Sequence, residues 1–309
     1  MKEIKIFSPA SIANLSCGFD ILGVCLNDIG DTIVVRKTSE KGIKILKVTG
    51  QKLNTDIYKN VAGVSALALL KETKVNCGFE IEIHKGIKPG SGIGSSAASS
   101  AGSVYAINEL LGRPYSNKEL IKFAIEGEKI ASGSAHADNV AAVLLGGFTF
   151  VRDSLEFDIF KLNTPIELAF TILHPQIEVK TSESRAIIKN QVPLRKMIVQ
   201  TANLGAFISG LYTEDYNLIG RSIKDVIIEP LRSILIPKFD KLKEISLSNG
   251  ALGFGISGSG PSVFALSKGL LNAKKIGNLL KIEYNQLGIE FDIHTSSVNE
   301  KGIKIIEYK

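Results

Sequence analysis

Residues Glu80 to Gly102 read E-I-E-I-H-K-G-I-K-P-G-S-G-I-G-S-S-A-A-S-S-A-G, and three regimes follow one another within them. Ile81 and Ile83 alternate with polar neighbours, the two-residue period of a strand. From Ser95 the chain turns Ala/Ser-rich and carries Val104, Ile107 and Leu110 at helical spacing. Between these segments stand Gly90, Gly92 and Gly94, which can take positive φ and let a ligand reach the backbone with no Cβ in the way. Ser95 and Ser96 fall where the helix starts, with unpaired N–H groups and the positive end of the dipole. Strand, glycine loop and helix N-terminus together predict an anion site, phosphate being the usual anion. A purely structural turn is the competing reading.

Better-known patterns are missing. No Lys follows Gly94, as G-x-x-x-x-G-K-[ST] requires. Gly90-Ser91-Gly92-Ile93-Gly94 also lacks the spacing of a dinucleotide loop. A hydrolase nucleophile elbow at Gly94-Ser95-Ser96-Ala97 fails because Ala98 replaces the last Gly of G-x-S-x-G. Four scattered histidines, His84, His136, His174 and His294, offer it no evident partner.

Composition narrows the class. With 309 residues, 44% hydrophobic and 22% charged, the chain is globular, of one large or two medium domains. Its formal charge of +6 comes from dispersed residues, 37 basic against 31 acidic. That suits anionic small molecules and gives no nucleic-acid footprint. Cys17, Cys25 and Cys77 are odd in number and form no C-x-x-C, so a reduced compartment is expected, without disulfides or a zinc site. No signal-like N-terminus and no apolar run near 18 residues are present, so a cytoplasmic protein with no membrane partner is expected.

Along the chain, strands are expected at residues 2–8, 31–38 and 43–48, then a helix opened by Asn60 with Val61, Val64, Leu67, Ala68 and Leu70 on one face. After the glycine loop and its helix, Asn117 is expected to cap a helix carrying Leu120, Ile121, Ala124, Ile125 and Glu128. A polar break spans Ser132 to Asn139, a short helix Val140 to Leu145, and a strand Phe148 to Arg152. A composition change near Asp153 divides the chain into 1–153 and 154–309. The second half is read as strands at 157–162 and 168–173, helices at 181–189, 194–212 and 236–247, a strand–glycine turn–strand over 253–266, a helix at 270–282 and a last strand at 290–294.

Three separated stretches resemble the motifs of the GHMP small-molecule kinases. They are Pro9-Ala10-Ser11-Ile12-Ala13-Asn14-Leu15 with Gly18-Phe19-Asp20, then Pro89 to Ala98, then Ile256-Ser257-Gly258-Ser259-Gly260-Pro261-Ser262. They stand in the family's order and span nearly the whole chain. Within the family, A-N-L-x-x-G-F-D, H-A-D-N at His136 to Asn139 and I-E-P-L-R ending at Arg232 look most like the homoserine kinases. The resemblance implies an α+β fold: an N-terminal domain like ribosomal protein S5, a C-terminal ferredoxin-like domain, and the active site between them.

It also implies ATP-dependent phosphorylation of the L-homoserine hydroxyl, with ATP and Mg²⁺ as cofactors. Lys88, Pro89, Gly90, Ser91, Gly92, Ile93, Gly94, Ser95, Ser96, Ala97 and Ala98 would cradle the nucleotide, with Asn60 and Lys85 as further contacts. Ser96 and Glu128 would hold Mg²⁺, a hard cation suited to hydroxyl and carboxylate oxygens. Asp20 would meet the substrate ammonium, and Arg185 and Arg232 its carboxylate. Asn14 and Asn139 would position the substrate and its hydroxyl. Related kinases use an Asp as general base near Asn139, and an amide cannot take that proton. Asp138, its neighbour on a helix, would point about 100° away. Catalysis by positioning and Mg²⁺ is therefore expected, with Asn139, Glu128 and Ser96 as the catalytic set and no dedicated base. His136 is the nearest challenger for that role. A mevalonate-pathway or shikimate-type kinase and a non-catalytic ATP-binding protein remain as alternatives, and a homodimer is left open.

Overall fold

A computed structural model describes residues 2–309 apart from 134, 135, 178, 180 and 190. Ser134 and Ala135, inside the expected polar break, therefore lie outside the described residues. The first sheet has seven strands. β1 (Glu3–Ala13) and β2 (Leu22–Thr38) run antiparallel, and β4 (Gly78–His84) pairs with the far side of β2. β3 (Gly42–Thr49) lies parallel to β4 at the edge, so β2 and β3 are consecutive in sequence without being neighbours. Alternation put the inward set in view: Ile4, Ile6, Ile33, Val35, Ile81 and Ile83 are all buried in one cluster. β1 and β2 are longer than expected because Pro9–Ala13 and Leu22–Leu26 are buried throughout, and a strand covered on both faces shows no period.

Helices α1 (Val61–Thr73), α2 (Ser95–Leu110), α3 (Asn117–Ser132) and α4 (Asp138–Leu145) pack over this sheet. Asn60 does cap α1, its side chain accepting from the Ala62 N–H at 3.0 Å. The buried face of α1 is Ala62, Ser65, Ala66 and Leu69, whereas Val61, Val64, Leu67, Ala68 and Leu70 are only half-buried. Size misleads there, since small residues let α1 approach α2 and α3 closely. α3 is capped by Ser116, one residue earlier than expected, through a reciprocal capping box with Glu119. Asn117 instead donates to the Leu144 carbonyl at 3.0 Å.

The second sheet has four antiparallel strands in the order β10 (Phe291–Ser297), β7 (Leu168–Pro175), β9 (Val263–Lys268) and β8 (Ala251–Ile256). Numbered along the chain this is 4-1-3-2, with helices between its first and second and its third and fourth strands, the ferredoxin-like arrangement. Its helices include α5 (Thr181–Ala186), α6 (Leu194–Thr213), α9 (Phe239–Ser248) and α10 (Leu270–Asn285). Two short helices, α7 (Tyr216–Ser222) and α8 (Glu229–Arg232), were not read from the sequence, nor was β11 (Lys304–Tyr308).

A division at residue 153 cuts across the first sheet. β5 (Phe148–Asp153) pairs with β6 (Asp158–Lys161), and β1 takes β11 as its outer neighbour. Between the layers, Phe148 from the first sheet meets Phe170 from the second, ring centroids 6.4 Å apart, in a shared core with Ile12, Leu22, Phe207 and Phe264. Among the described residues no helix is long and apolar enough to cross a membrane.

Candidate active site

A cleft of about 420 Å³ opens where the α2 N-terminus, the β1–β2 connection and the β8–β9 turn meet. Gly90, Gly92 and Gly94 all have positive φ, between 72° and 83°. Their reasons differ. A Cβ on Gly92 would come within 2.6 Å of the Ser257 and Gly260 carbonyl oxygens, and one on Gly94 within 2.2 Å of Ser11 Oγ. Nothing lies within 4 Å of a Cβ on Gly90. Only Gly90 thus keeps its open side toward the cleft; Gly92 is glycine because another loop presses on it. Ser257 Oγ donates to the Gly92 carbonyl at 2.7 Å, and the Ser262 N–H to the Ser91 carbonyl at 3.2 Å. The third motif braces the second.

Three expected nucleotide contacts, Lys85, Asn60 and Lys88, make hydrogen bonds within the protein, Lys85 while lining the cleft. The Lys85 ammonium pairs with Asp31 and donates to the Ser95 carbonyl at 2.9 Å and Ser99 Oγ at 3.0 Å, which uses all three of its hydrogens. Burial pulls its pKa below the usual lysine value against the pull of Asp31. Asp31 in turn accepts from the Gly86 and Ile87 N–H groups, so this buried pair fixes the loop from beneath. Asn60 donates to the Asn54 carbonyl while it caps α1, and Lys88 is held by Gln176 at the surface. Of the remaining loop residues Pro89, Gly90, Ser91, Gly92, Gly94, Ser95 and Ser96 line the cleft, whereas Ile93, Ala97 and Ala98 are core.

Ser96 Oγ donates to the Glu128 carboxylate at 2.9 Å, and Ser100 Oγ to its other oxygen at 3.4 Å. Both Ser96 and Glu128 line the cleft. Burial pushes the Glu128 pKa up to about 7, opposed by the two serines and Lys85. A desolvated carboxylate beside a hydroxyl at a helix N-terminus is a hard-oxygen set suited to a small divalent cation. Among the described residues no three His, Cys, Asp or Glu side chains cluster to hold a metal, so a cation at this pair would need further ligands from outside the protein.

The opposite end of the cleft is built from charge. Arg185 Nη2 reaches both Asp20 oxygens at 2.8 Å. Arg232 is buried, donating to the Ser184 carbonyl and the Gly258 carbonyl, each at 3.1 Å. Burial, reinforced by the nearby Arg185, lowers its pKa to about 10. Asn14 ties the same loop by donating to Gly258 O at 2.8 Å, while its own oxygen accepts from the Asp20 N–H at 3.0 Å. Phe19 was quoted in the first motif without a role; its ring lies 5.3 Å from the Arg185 guanidinium and 5.2 Å from that of Arg232. A lone aromatic beside an acid gives no sequence signal of that kind. His136 Nδ1 sits 3.5 Å from Asp20 and 3.4 Å from Arg185, with its pKa lowered chiefly by burial.

Asn139 Oδ1 accepts from Ser11 Oγ at 2.7 Å, which leaves its Nδ2 hydrogens without a partner among the described residues. Asp138 lines the cleft together with Asn139, which the expected angle of about 100° between successive helical residues does not prevent. It is the first residue of α4, and its carboxylate accepts from the Asn139 N–H at 2.8 Å. Burial first, and then the negative charge of Asp20, raise its pKa to about 7.

Residues 59–147 match the GHMP kinases N terminal domain and residues 204–286 the GHMP kinases C terminal domain. The homoserine kinase of Chloroherpeton thalassium is 40% identical, over 99% of this chain and all of the relative. The chain belongs to the GHMP kinase family. A crystal structure of homoserine kinase from Cytophaga hutchinsonii has 46% identity and a TM-score of 0.95, covering 98% of this chain and 97% of that one. Methanococcus jannaschii mevalonate kinase shares the GHMP kinase fold at 16% identity and a TM-score of 0.70, covering 96% and 98% of the two chains.

Proposed function

We propose that the chain is a homoserine kinase, transferring the γ-phosphoryl group of ATP to the side-chain hydroxyl of L-homoserine. The observation carrying this is the charged end of the cleft, Asp20 with Arg185 and Arg232, set across from the Ser96–Glu128 end. A zwitterion with a primary hydroxyl matches it: ammonium toward Asp20, carboxylate toward the arginines, hydroxyl toward the phosphate loop. Full-length relatives that are homoserine kinases support the same substrate. Mevalonate and shikimate carry no ammonium for Asp20 to meet.

In this reading the open Gly90 side and the α2 N-terminus receive the phosphates through backbone N–H groups. Ser96 and Glu128 would hold Mg²⁺, whose charge would offset that of the phosphates when it is bound. Asn139 donates its free amide hydrogens to the substrate hydroxyl oxygen and fixes it for in-line attack. An amide in that place takes no proton, so positioning and electrostatics supply the rate. Asp138 gives a second reading of the proton's route, because a cleft-lining carboxyl of raised pKa is placed as a base usually is. A coupled ADP-release assay with L-homoserine, mevalonate, shikimate and galactose tests the proposal. Turnover confined to homoserine is expected, and robust turnover of mevalonate without homoserine overturns it.

A further inference from the structure

Ser11 is fully buried on β1. Its neighbours Ala10 and Ile12 enter the apolar core, and strand alternation turns the Ser11 side chain the other way. An alanine there would leave no polar group to satisfy, whereas a buried hydroxyl without a partner costs stability. Among the described residues the hydroxyl makes one hydrogen bond, donated to Asn139 Oδ1 at 2.7 Å. The phosphate loop closes on that bond. The Ser11 N–H donates to the Ile93 carbonyl at 3.2 Å, and a Cβ on Gly94 would lie 2.2 Å from Ser11 Oγ and 3.1 Å from Asn139 Oδ1. Gly94 is the N-cap of α2, whose first residues line the phosphate end of the cleft. The Asn139 backbone is held separately. Its N–H is taken by Asp138, and the Asp138 carbonyl is seated on Gly23, where a Cβ would come within 2.2 Å. What the Ser11 hydroxyl decides is therefore the turn of the amide, because the last torsion of an asparagine is broad when nothing selects it.

We propose that Ser11 is a positioning residue: it turns the Asn139 amide so that its hydrogens face the acceptor oxygen, and it registers that amide against the phosphate loop. The inference rests on the reading of Asn139 as the group that holds the substrate hydroxyl. By donating to Oδ1, Ser11 engages the acceptor end of the amide and leaves both Nδ2 hydrogens for the cleft that Asn139 lines. The reversed amide would set a carbonyl oxygen beside the incoming phosphoryl oxygens, where like partial charges repel. Gly94 and Asn139 touch the same hydroxyl, so the phosphates and the acceptor take their relative position from contacts to one buried atom. In-line transfer depends on that relative position more than on the affinity for either substrate.

Two measurements test this. With ATP and L-homoserine, Ser11→Ala should lower kcat by about ten- to a hundredfold, the scale of a small misplacement of reacting groups. Both KM values should stay within about threefold, since ground-state binding is untouched. The melting temperature should stay within about 4 °C of the unaltered enzyme. Because Ser11 acts through Asn139, the double variant Ser11→Ala/Asn139→Ala should be within about twofold of Asn139→Ala alone, whereas independent effects would multiply. The second measurement needs no turnover. In Asn139→Asp the introduced carboxyl accepts from Ser11, which favours its charged form, so adding Ser11→Ala should raise its pKa as read by carbon-13 NMR. Losses that multiply in the double variant overturn the proposal, as does a Ser11→Ala enzyme with unchanged kcat and a raised KM for ATP. An unmoved carboxyl pKa also overturns it. If the unaltered protein does not phosphorylate homoserine, the proposed function falls, and the NMR measurement by itself decides whether Ser11 orients position 139.

Discussion

The two ends of the cleft are made differently. At the phosphate-loop end the polar side chains are already satisfied by the protein: Lys85 by Asp31, Ser95 by the Ile87 carbonyl, Ser96 by Glu128. What faces outward is backbone. At the other end the side chains themselves carry the surface, with Asp20, Arg185, Arg232, His136 and Asp138 within mutual electrostatic reach. The first end is a rigid mould for an invariant ligand part, the phosphates. The second is an arrangement of charges, which is how a small zwitterion is distinguished from other alcohols.

Substitutions at the mould should act mainly on folding, and the largest effect is expected there. Gly92→Val forces a β-branched residue into φ +83° against two carbonyl oxygens. A loss of more than about 4 kcal/mol in unfolding free energy is expected. Gly90→Ala, with open space around its Cβ, should cost only about 1–2 kcal/mol for its left-handed backbone and raise the KM for ATP. Chemical denaturation of both variants checks this; equal stabilities would erase the difference between the two glycines.

Next in size is Glu128→Gln, which keeps the shape and removes the charge. A fall in kcat of about 10³-fold is expected, matching the several kcal/mol a metal ion contributes to the transition state. Excess homoserine should not restore it. A Mg²⁺ titration of the unaltered enzyme and the variant reads the same site without turnover, and unchanged affinity would remove Glu128 from the metal site.

Arg232→Leu tests the charged end. A lost hydrogen bond to a charged group is worth about 1.5–3 kcal/mol, or one to two decades in kcat/KM, expressed mainly through the KM for homoserine. The KM for ATP should stay within about twofold, although Gly258 loses a donor. An equal rise in both constants would mean that Arg232 serves the loop and not the substrate.

Asp138→Asn is expected to change turnover least, by less than about tenfold, if positioning alone drives the reaction. A loss of about 10²–10⁴-fold with substrate binding intact would make Asp138 the base. Its stability signature is separate. Because burial raises the Asp138 pKa to about 7, the folded state holds that proton more tightly than the unfolded chain. The contribution is complete below the ordinary aspartate pKa near 4 and is lost as pH rises through about 7. The ligand-free enzyme should thus lose more melting temperature between pH 5 and pH 8 than the Asp138→Asn variant.

The same contrast governs how much could be read in advance. The phosphate loop is one continuous stretch whose strand period, glycines and helix start are all local, so its elements were legible. The charged end joins Asp20 to Arg185 across 165 positions and Asn14 to Gly258 across 244. No propensity or period encodes contacts at that range; only the family resemblance put those residues together. Packing hid two further things. The small-residue face of α1 carries no strong amphipathic signal, and nothing around Asp31 in β2 gave a hint that it would pair with Lys85. Asp138 was set aside because successive helical residues stand about 100° apart, an offset that does not stop both from bordering one wide cleft.

Strand β1 obtains its outer neighbour, β11, from the far end of the chain, with Glu3 and Lys309 exchanging backbone hydrogen bonds at 2.8 and 2.9 Å. During synthesis that edge of β1 stays bare while the whole intervening chain is made. At about 5–20 residues per second the interval is of the order of 15–60 s. A bare strand edge invites pairing with other chains. The nascent protein is therefore open to misassembly along β1 for that interval, and anything that slows elongation between β1 and β11 lengthens it.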